Sequence, residues 1–229
     1  MAGHPEDQYR DSTQLTQWTL WLLYAQIVFT AAALWSGLLE RNLLLDMQAG
    51  AFESDEAMMA AAGASDRRQE FIGFGQSGVF IASGVLILMW IYRSSYNTSI
   101  KARYMEFTPG WSVGWYFVPI MMIWKPFQAM KEIWRNTAEQ AGDSSDSWEV
   151  LLGVWWFLWI AGNLVANAAF RMTLRADGVG ELIAANLVTM WSDVLSLPLL
   201  AVFIMMVRKL TALQKLAFVP EPAATPATA

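Results

Sequence analysis

The sequence predicts an all-α membrane protein, with four transmembrane helices and a proline-broken segment between the second and third. Three observations carry this. Hydrophobic residues make up 55% of 229 residues and charged ones 15%. The apolar residues gather into four runs, each long enough to cross roughly 30 Å of hydrocarbon. Tryptophan, present 13 times, marks the ends of several runs, where its ring bridges lipid and water. The length suits one helical domain with short tails.

Composition also removes chemistries. There is no cysteine, hence no disulfide framework, thiolate nucleophile, iron–sulfur cluster or covalently attached haem. The single histidine, His4, stands in a polar tail, which argues against bis-histidine haem, histidine-bearing zinc sites and Ser-His-Asp catalysis. No metal site or cofactor is expected, and no catalytic constellation is visible. The net charge of -5 says little about partners because the charges are segregated along the chain, and no basic patch suggests nucleic acid.

Residues 1–17 read as a polar tail in which Glu6, Asp7 and Asp11 oppose Arg10, unlike the cationic start of a cleaved signal peptide. Ala31 to Ala33 mimic a cleavage site, but the first run is better read as a retained anchor. That run spans about 18–39, with Trp18, Trp21 and Tyr24 near one end, Trp35 near the other and Gln26 as its main interior polar residue. An acidic connection follows from Glu40 to Glu70, with enough Ala and Met for a short surface helix.

The second span covers about 71–92. Its first half holds Gly73, Gly75, Ser77, Gly78, Ala82, Ser83 and Gly84, a small-residue face that lets another helix approach. No Lys-Ser/Thr pair follows, so a phosphate loop is disfavoured. The interfacial segment, 107–138, is the unusual part. Pro109 and Gly110 predict a turn, Pro119 interrupts the apolar stretch Trp111 to Trp124, and Pro126 sits where a helix begins. A stretch of about 14 apolar residues has the length of an interfacial or re-entrant segment. Beyond it Phe127, Met130, Ile133 and Trp134 recur at helical spacing. They make an amphipathic helix that either lies on the membrane surface or packs on the bundle.

The third span, about 149–170, follows Trp148 and opens with Trp155, Trp156 and Trp159. The fourth, about 182–207, is interrupted by Pro198. Residues 18–215 thus form the membrane domain, and 216–229 a Pro/Ala tail too poor in apolar residues to fold alone. Arg93, Lys101, Arg103, Lys125, Lys131 and Arg135, with Arg208, Lys209 and Lys215 after the fourth span, place those flanks and both termini in the cytoplasm.

Inside the membrane, Asn163 and Asn167 share a face of the third span. Asp193 is the only acid well inside a span. If the last two spans form a hairpin, helical rise puts Asp193 and Asn163 both roughly 10 to 18 Å below its loop. An aspartate there must face the interior, bond to the asparagines or stay protonated. Asp193, Asn163, Asn167 and Gln26 are therefore the candidate intramembrane polar site, read either as a cation or proton pathway or as a satisfied group that fixes helix register. Trp111, Trp115, Trp124, Lys125, Gln128, Lys131, Trp134 and Arg135 are the candidate interfacial contact. The tryptophans serve there as membrane anchors or as a pocket for a lipid, quinone or cationic ligand.

The stretch FTPGWSVGWYFVPIMMIWKPFQAMKEIWR, from Phe107 to Arg135, resembles the signature of a bacterial membrane family known as domain of unknown function 4328. Trp155, Trp156, Trp159 and Asn163, then Ser192, Asp193, Leu195 and Pro198, are similar to that family's second half. The resemblance spans roughly 70–215 and implies a multi-pass bacterial membrane protein, with no activity or cofactor attached. The expected role is that of a non-enzymatic inner-membrane protein acting through membrane lipid, a membrane-protein partner or a second copy of itself at the interfacial segment. The alternative is a small transporter or channel built on the Asp/Asn cluster.

Overall fold

A computed structural model describes residues 9–145 and 147–218. The expectations for His4, for most of the N-terminal tail and for the Pro/Ala tail from 219 onward fall outside the described residues. The elements are α1 (Thr13–Ala49), α2 (Asp55–Lys101), α3 (Pro109–Gly114), α4 (Lys125–Ala141), α5 (Ser147–Arg175) and α6 (Val179–Phe218), with 3-10 turns at Trp115–Phe117 and Met121–Ile123. No strand occurs among the described residues. Helices α1, α2, α5 and α6 are long and apolar enough to cross a membrane. Each contains one of the four apolar runs, and the chain is a multi-pass membrane protein.

The helices outrun the bilayer. α1 and α2 have 37 and 47 residues, about 56 and 70 Å of helix against roughly 30 Å of hydrocarbon. The acidic connection is therefore mostly helix, and only residues 50–54 turn. Its Leu, Ala, Met, Glu and Arg favour helix, and no proline interrupts it. What stops α1 is Gly50 at φ 66°, in a Schellman closure where Gly50 N–H donates to Met47 O at 3.2 Å and Ala51 N–H to Asp46 O at 3.0 Å. Ser54 Oγ then caps α2 by accepting from Ala57 N–H at 3.2 Å, with Asp55 and Glu56 favourably placed in the first turn. Pro198 lies inside α6 without ending it; a membrane helix tolerates the lost N–H where neighbours supply partners.

Two compact units share these helices. Among the described residues, one draws on the stretches 9–20, 85–153 and 204–218, the other on 21–84 and 154–203. In the first, Trp90, Ile91, Met130, Ile133, Trp134, Met206, Val207 and Leu210 are fully buried, together with an unusual number of polar side chains. Thr98 Oγ1 meets Thr137 Oγ1 at 2.8 Å, Gln214 Nε2 donates to Ser94 O at 2.9 Å, and Trp90 Nε1 donates to Thr211 Oγ1 at 3.2 Å. Asn97 brackets Arg10, accepting from its N–H at 3.0 Å and donating to its carbonyl at 2.9 Å. Ser94, Ser95, Asn97 and Thr98, which follow the second predicted span, are thus interior residues of α2.

The second unit turns large apolar side chains outward, with Phe71, Phe74, Phe80, Phe157, Leu164 and Leu174 all two-thirds exposed or more. Such a surface is stable against lipid and costly in water. The small-residue face of α2 is used only in part. Gly75 lies against the Phe29 ring of α1, and Ser83 bonds Gln26, whereas Gly73, Gly78 and Gly84 have open space where a Cβ would stand.

Candidate functional sites

The interfacial segment is built from the first unit. Thr108 caps α3 by accepting from Trp111 N–H at 3.4 Å, and Pro109 opens the helix at a position where no N–H is needed. After the turn at Trp115–Phe117 the chain reverses at Ile120, whose φ of 68° is strained for a β-branched residue. Glu132, 8% exposed, holds the approach to α3, its carboxylate accepting from the backbone N–H groups of Glu106 and Phe107 at 2.5 and 3.0 Å. Lys125 Nζ sits 3.5 Å from Glu106 and 5.0 Å from the centre of the Phe107 ring.

On this braced frame Phe117 and Ile120 are 70% and 69% exposed, and Trp111, Ile123 and Trp124 also face outward. Trp115 leans on Trp111 with ring centres 4.6 Å apart. The Tyr116 hydroxyl is buried without a hydrogen-bond partner, and burial raises its pKa. In α4, Gln128, Lys131 and Arg135 are exposed, and Lys131 pairs with Glu149 at 3.3 Å. Trp134 is a correction to the predicted contact set. It is fully buried and stacks on Trp148 at 6.3 Å, because the apolar stripe of α4 packs inside its unit. Trp155, Trp156 and Trp159 belong to the other unit.

The second unit holds a partly open cavity of about 310 Å³. Glu40 of α1, Gln69 and Gln76 of α2, and Asn186 and Asp193 of α6 line it, among Ala33, Ile72, Leu182 and Met190. Gln76 is the polar neighbour of the Asp193 carboxyl. Glu40 Oε2 accepts from Gln69 Nε2 and, at 3.1 Å, from Asn186 Nδ2. The same Nδ2 donates to Gly37 O at 3.2 Å.

The predicted polar cluster is thus redistributed. Asn163 and Asn167 do not meet Asp193; both are exposed and donate to their own helix, at Trp159 O (2.7 Å) and Asn163 O (3.0 Å). Gln26 bonds Ser83 instead. Helical spacing correctly put the asparagines on one face but carried no information about where that face points. Of the residues that share the cavity with Asp193, Asn186 was missed although its spacing carried a signal. Asn186 is seven positions before Asp193, two turns along the same face. Glu40, Gln69 and Gln76 come from other helices and had no such signal.

Residues 54–212 match the family described as Domain of unknown function (DUF4328). The chain belongs to that family. The DUF4328 stretch takes in the whole interfacial segment and every polar residue of the cavity except Glu40, which precedes it. No curated protein and no solved structure matches the chain.

Proposed function

We propose that this DUF4328 member is a non-enzymatic protein of the bacterial inner membrane, both termini cytoplasmic, that works through contact of residues 109–124 with membrane lipid. The supporting observation is the exposure of Phe117, Ile120 and Ile123 on a segment whose neighbours Glu132 and Lys125 are tied down. Fixed apolar side chains beside exposed cations such as Lys131 and Arg135 match the boundary between acyl chains and anionic headgroups. The lysine and arginine bias of the same flanks supports the orientation. A membrane-protein partner or a second copy is the competing occupant.

A photo-crosslinking amino acid at Phe117 or at Ile120, in cells, tests this. Lipid adducts are expected at both positions and absent from the exposed Glu139 of α4. Monomeric protein with neither lipid nor protein adducts would end the proposal, and protein adducts alone would replace lipid with a partner.

A second reading, a small transporter or channel, is supported by the cavity that holds Glu40 and Asp193. It predicts cation flux in liposomes that Asp193→Asn abolishes while the protein stays folded. Unchanged flux would leave Asp193 as a packing group.

A further inference from the structure

We infer that the cavity in the second unit binds a short linear diamine, one ammonium group at Glu40 and the other at Asp193. This deepens the transporter reading by naming a ligand for its site, yet it requires occupancy alone and no passage across the bilayer.

The first observation is an orphaned acceptor. Asn186 is 8% exposed, and its Nδ2 already donates to both Gly37 O and Glu40 Oε2. Those two acceptors fix the orientation of the amide, since a flip would set oxygen against oxygen. Asn186 Oδ1 is therefore left buried with no hydrogen-bond partner, on a residue that lines the cavity. A buried acceptor without a donor costs about 1–3 kcal/mol, so the site favours a ligand that brings N–H groups.

The second observation is the sign and spacing of charge. Two carboxylates line the cavity and no lysine or arginine does, which disfavours an anion. Both bonds to Glu40 fall on Oε2, leaving Oε1 available to a cation. Glu40 touches Asn186, and α6 rises about 10 Å from Asn186 to Asp193. One metal ion, with ligands at about 2 to 2.6 Å, cannot bridge that span. Between the two ends the wall carries Ile72, set between Gln69 and Gln76 on α2, and Met190, set between Asn186 and Asp193 on α6, which suit a methylene chain. A chain of about four or five methylenes, with an ammonium hydrogen-bonded at each end, covers the distance. The terminal ammonium beside Glu40 lies next to the Asn186 amide, and a shift of that side chain, whose Oδ1 has no exposed surface, lets it supply the missing donor.

The test is equilibrium binding of 1,4-diaminobutane to the full chain in detergent, by calorimetry, with 1-aminobutane and sodium chloride as comparison probes. Saturable binding is expected, at least tenfold tighter than that of the monoamine. Glu40→Gln and Asp193→Asn should each weaken it tenfold or more, and Glu53→Gln, in the exposed turn, should not change it. Ala33→Phe narrows the cavity without altering charge and should also weaken binding, which keeps the proposal testable if a charge variant misfolds. No saturable diamine binding, equal affinity for the monoamine, or binding by sodium alone would overturn the proposal. So would affinity unchanged in all three cavity variants. Binding without liposome flux would sink the transporter reading and leave this one standing.

Discussion

Glu132 illustrates how one buried carboxylate organises a segment that propensity alone would leave loose. Two N–H groups at Glu106 and Phe107 converge on it, and Glu132→Ala leaves both without an acceptor. At about 1–3 kcal/mol per orphaned group, we expect a loss of about 2–6 kcal/mol in unfolding experiments, with faster proteolysis across 102–108. Glu132→Gln keeps one carbonyl acceptor and should lose less. A protease pattern identical to wild type in Glu132→Ala would show that the segment is held by other contacts.

Asp11 acts through charge in the same way. Hydrogen bonds from the Thr13 hydroxyl (2.6 Å) and the Thr13 N–H (2.9 Å) hold its pKa below the ordinary carboxylate value. A depressed folded pKa means that its contribution is complete above the unfolded pKa, near pH 4, and is lost as pH falls through the folded value. Thermal unfolding between pH 6 and pH 3 should therefore show an acid-dependent loss that is reduced in Asp11→Asn. An identical slope in the variant would reject this. Neither effect was legible in sequence: nothing along the chain ties Glu132 to the backbone of residues 106 and 107, and Asp11 read as one charge in a tail.

Among the elements, α2 shows both the reach and the limit of pattern reading. Its run of small residues does mark an approach by another helix, yet only part of the run is used. Gly75 faces the Phe29 ring, while a Cβ at Gly78 meets nothing within 4 Å. Gly75→Leu should therefore destabilise the protein by more than 1 kcal/mol through overpacking, and Gly78→Leu should be close to neutral in thermal unfolding. Equal effects would mean that helix propensity, not packing, governs both sites. Sequence period identifies a face, but the residue that touches is chosen by the neighbour's bulk.

α4 makes the complementary point. Its apolar period was readable, and so were the two ways of satisfying it. Packing decided for the interior, burying Met130, Ile133 and Trp134, because Trp148 and the end of α2 offer that stripe a surface. Exposure then falls on the preceding turns, where Pro119 and the strained Ile120 prevent a regular helix. The end of α4 is set by Gly142 at φ 70°, with Asp143 N–H donating to Ala138 O at 2.9 Å. Gly142→Ala should cost about 1 kcal/mol, read as a lower unfolding midpoint.

For the whole molecule, the proposed topology puts the α1–α2 turn and the α4–α5 connection on opposite sides of the membrane, and the absence of cysteine makes this simple to check. A single cysteine at Glu53, in the turn between α1 and α2, should react with a membrane-impermeant maleimide applied to intact cells. One at Ser144, between α4 and α5, should react only after lysis. The reverse pattern would invert the proposed orientation.

The number of spans, their order and the place of the broken segment were determined by sequence alone. Hydrocarbon thickness and the need to satisfy every backbone group leave an apolar run of that length one solution, the helix. That constraint acts along the chain, so it can be read along the chain. Which polar groups meet was decided only by tertiary structure. A helix rotated about its axis keeps its periodicity and changes every partner, so Asn163 and Asn167 could point away while Glu40, Gln76 and Asn186 gathered around the cavity of Asp193. The lengthening of α1 and α2 lies between these cases: propensity permitted it, and the closure at Gly50 placed its end.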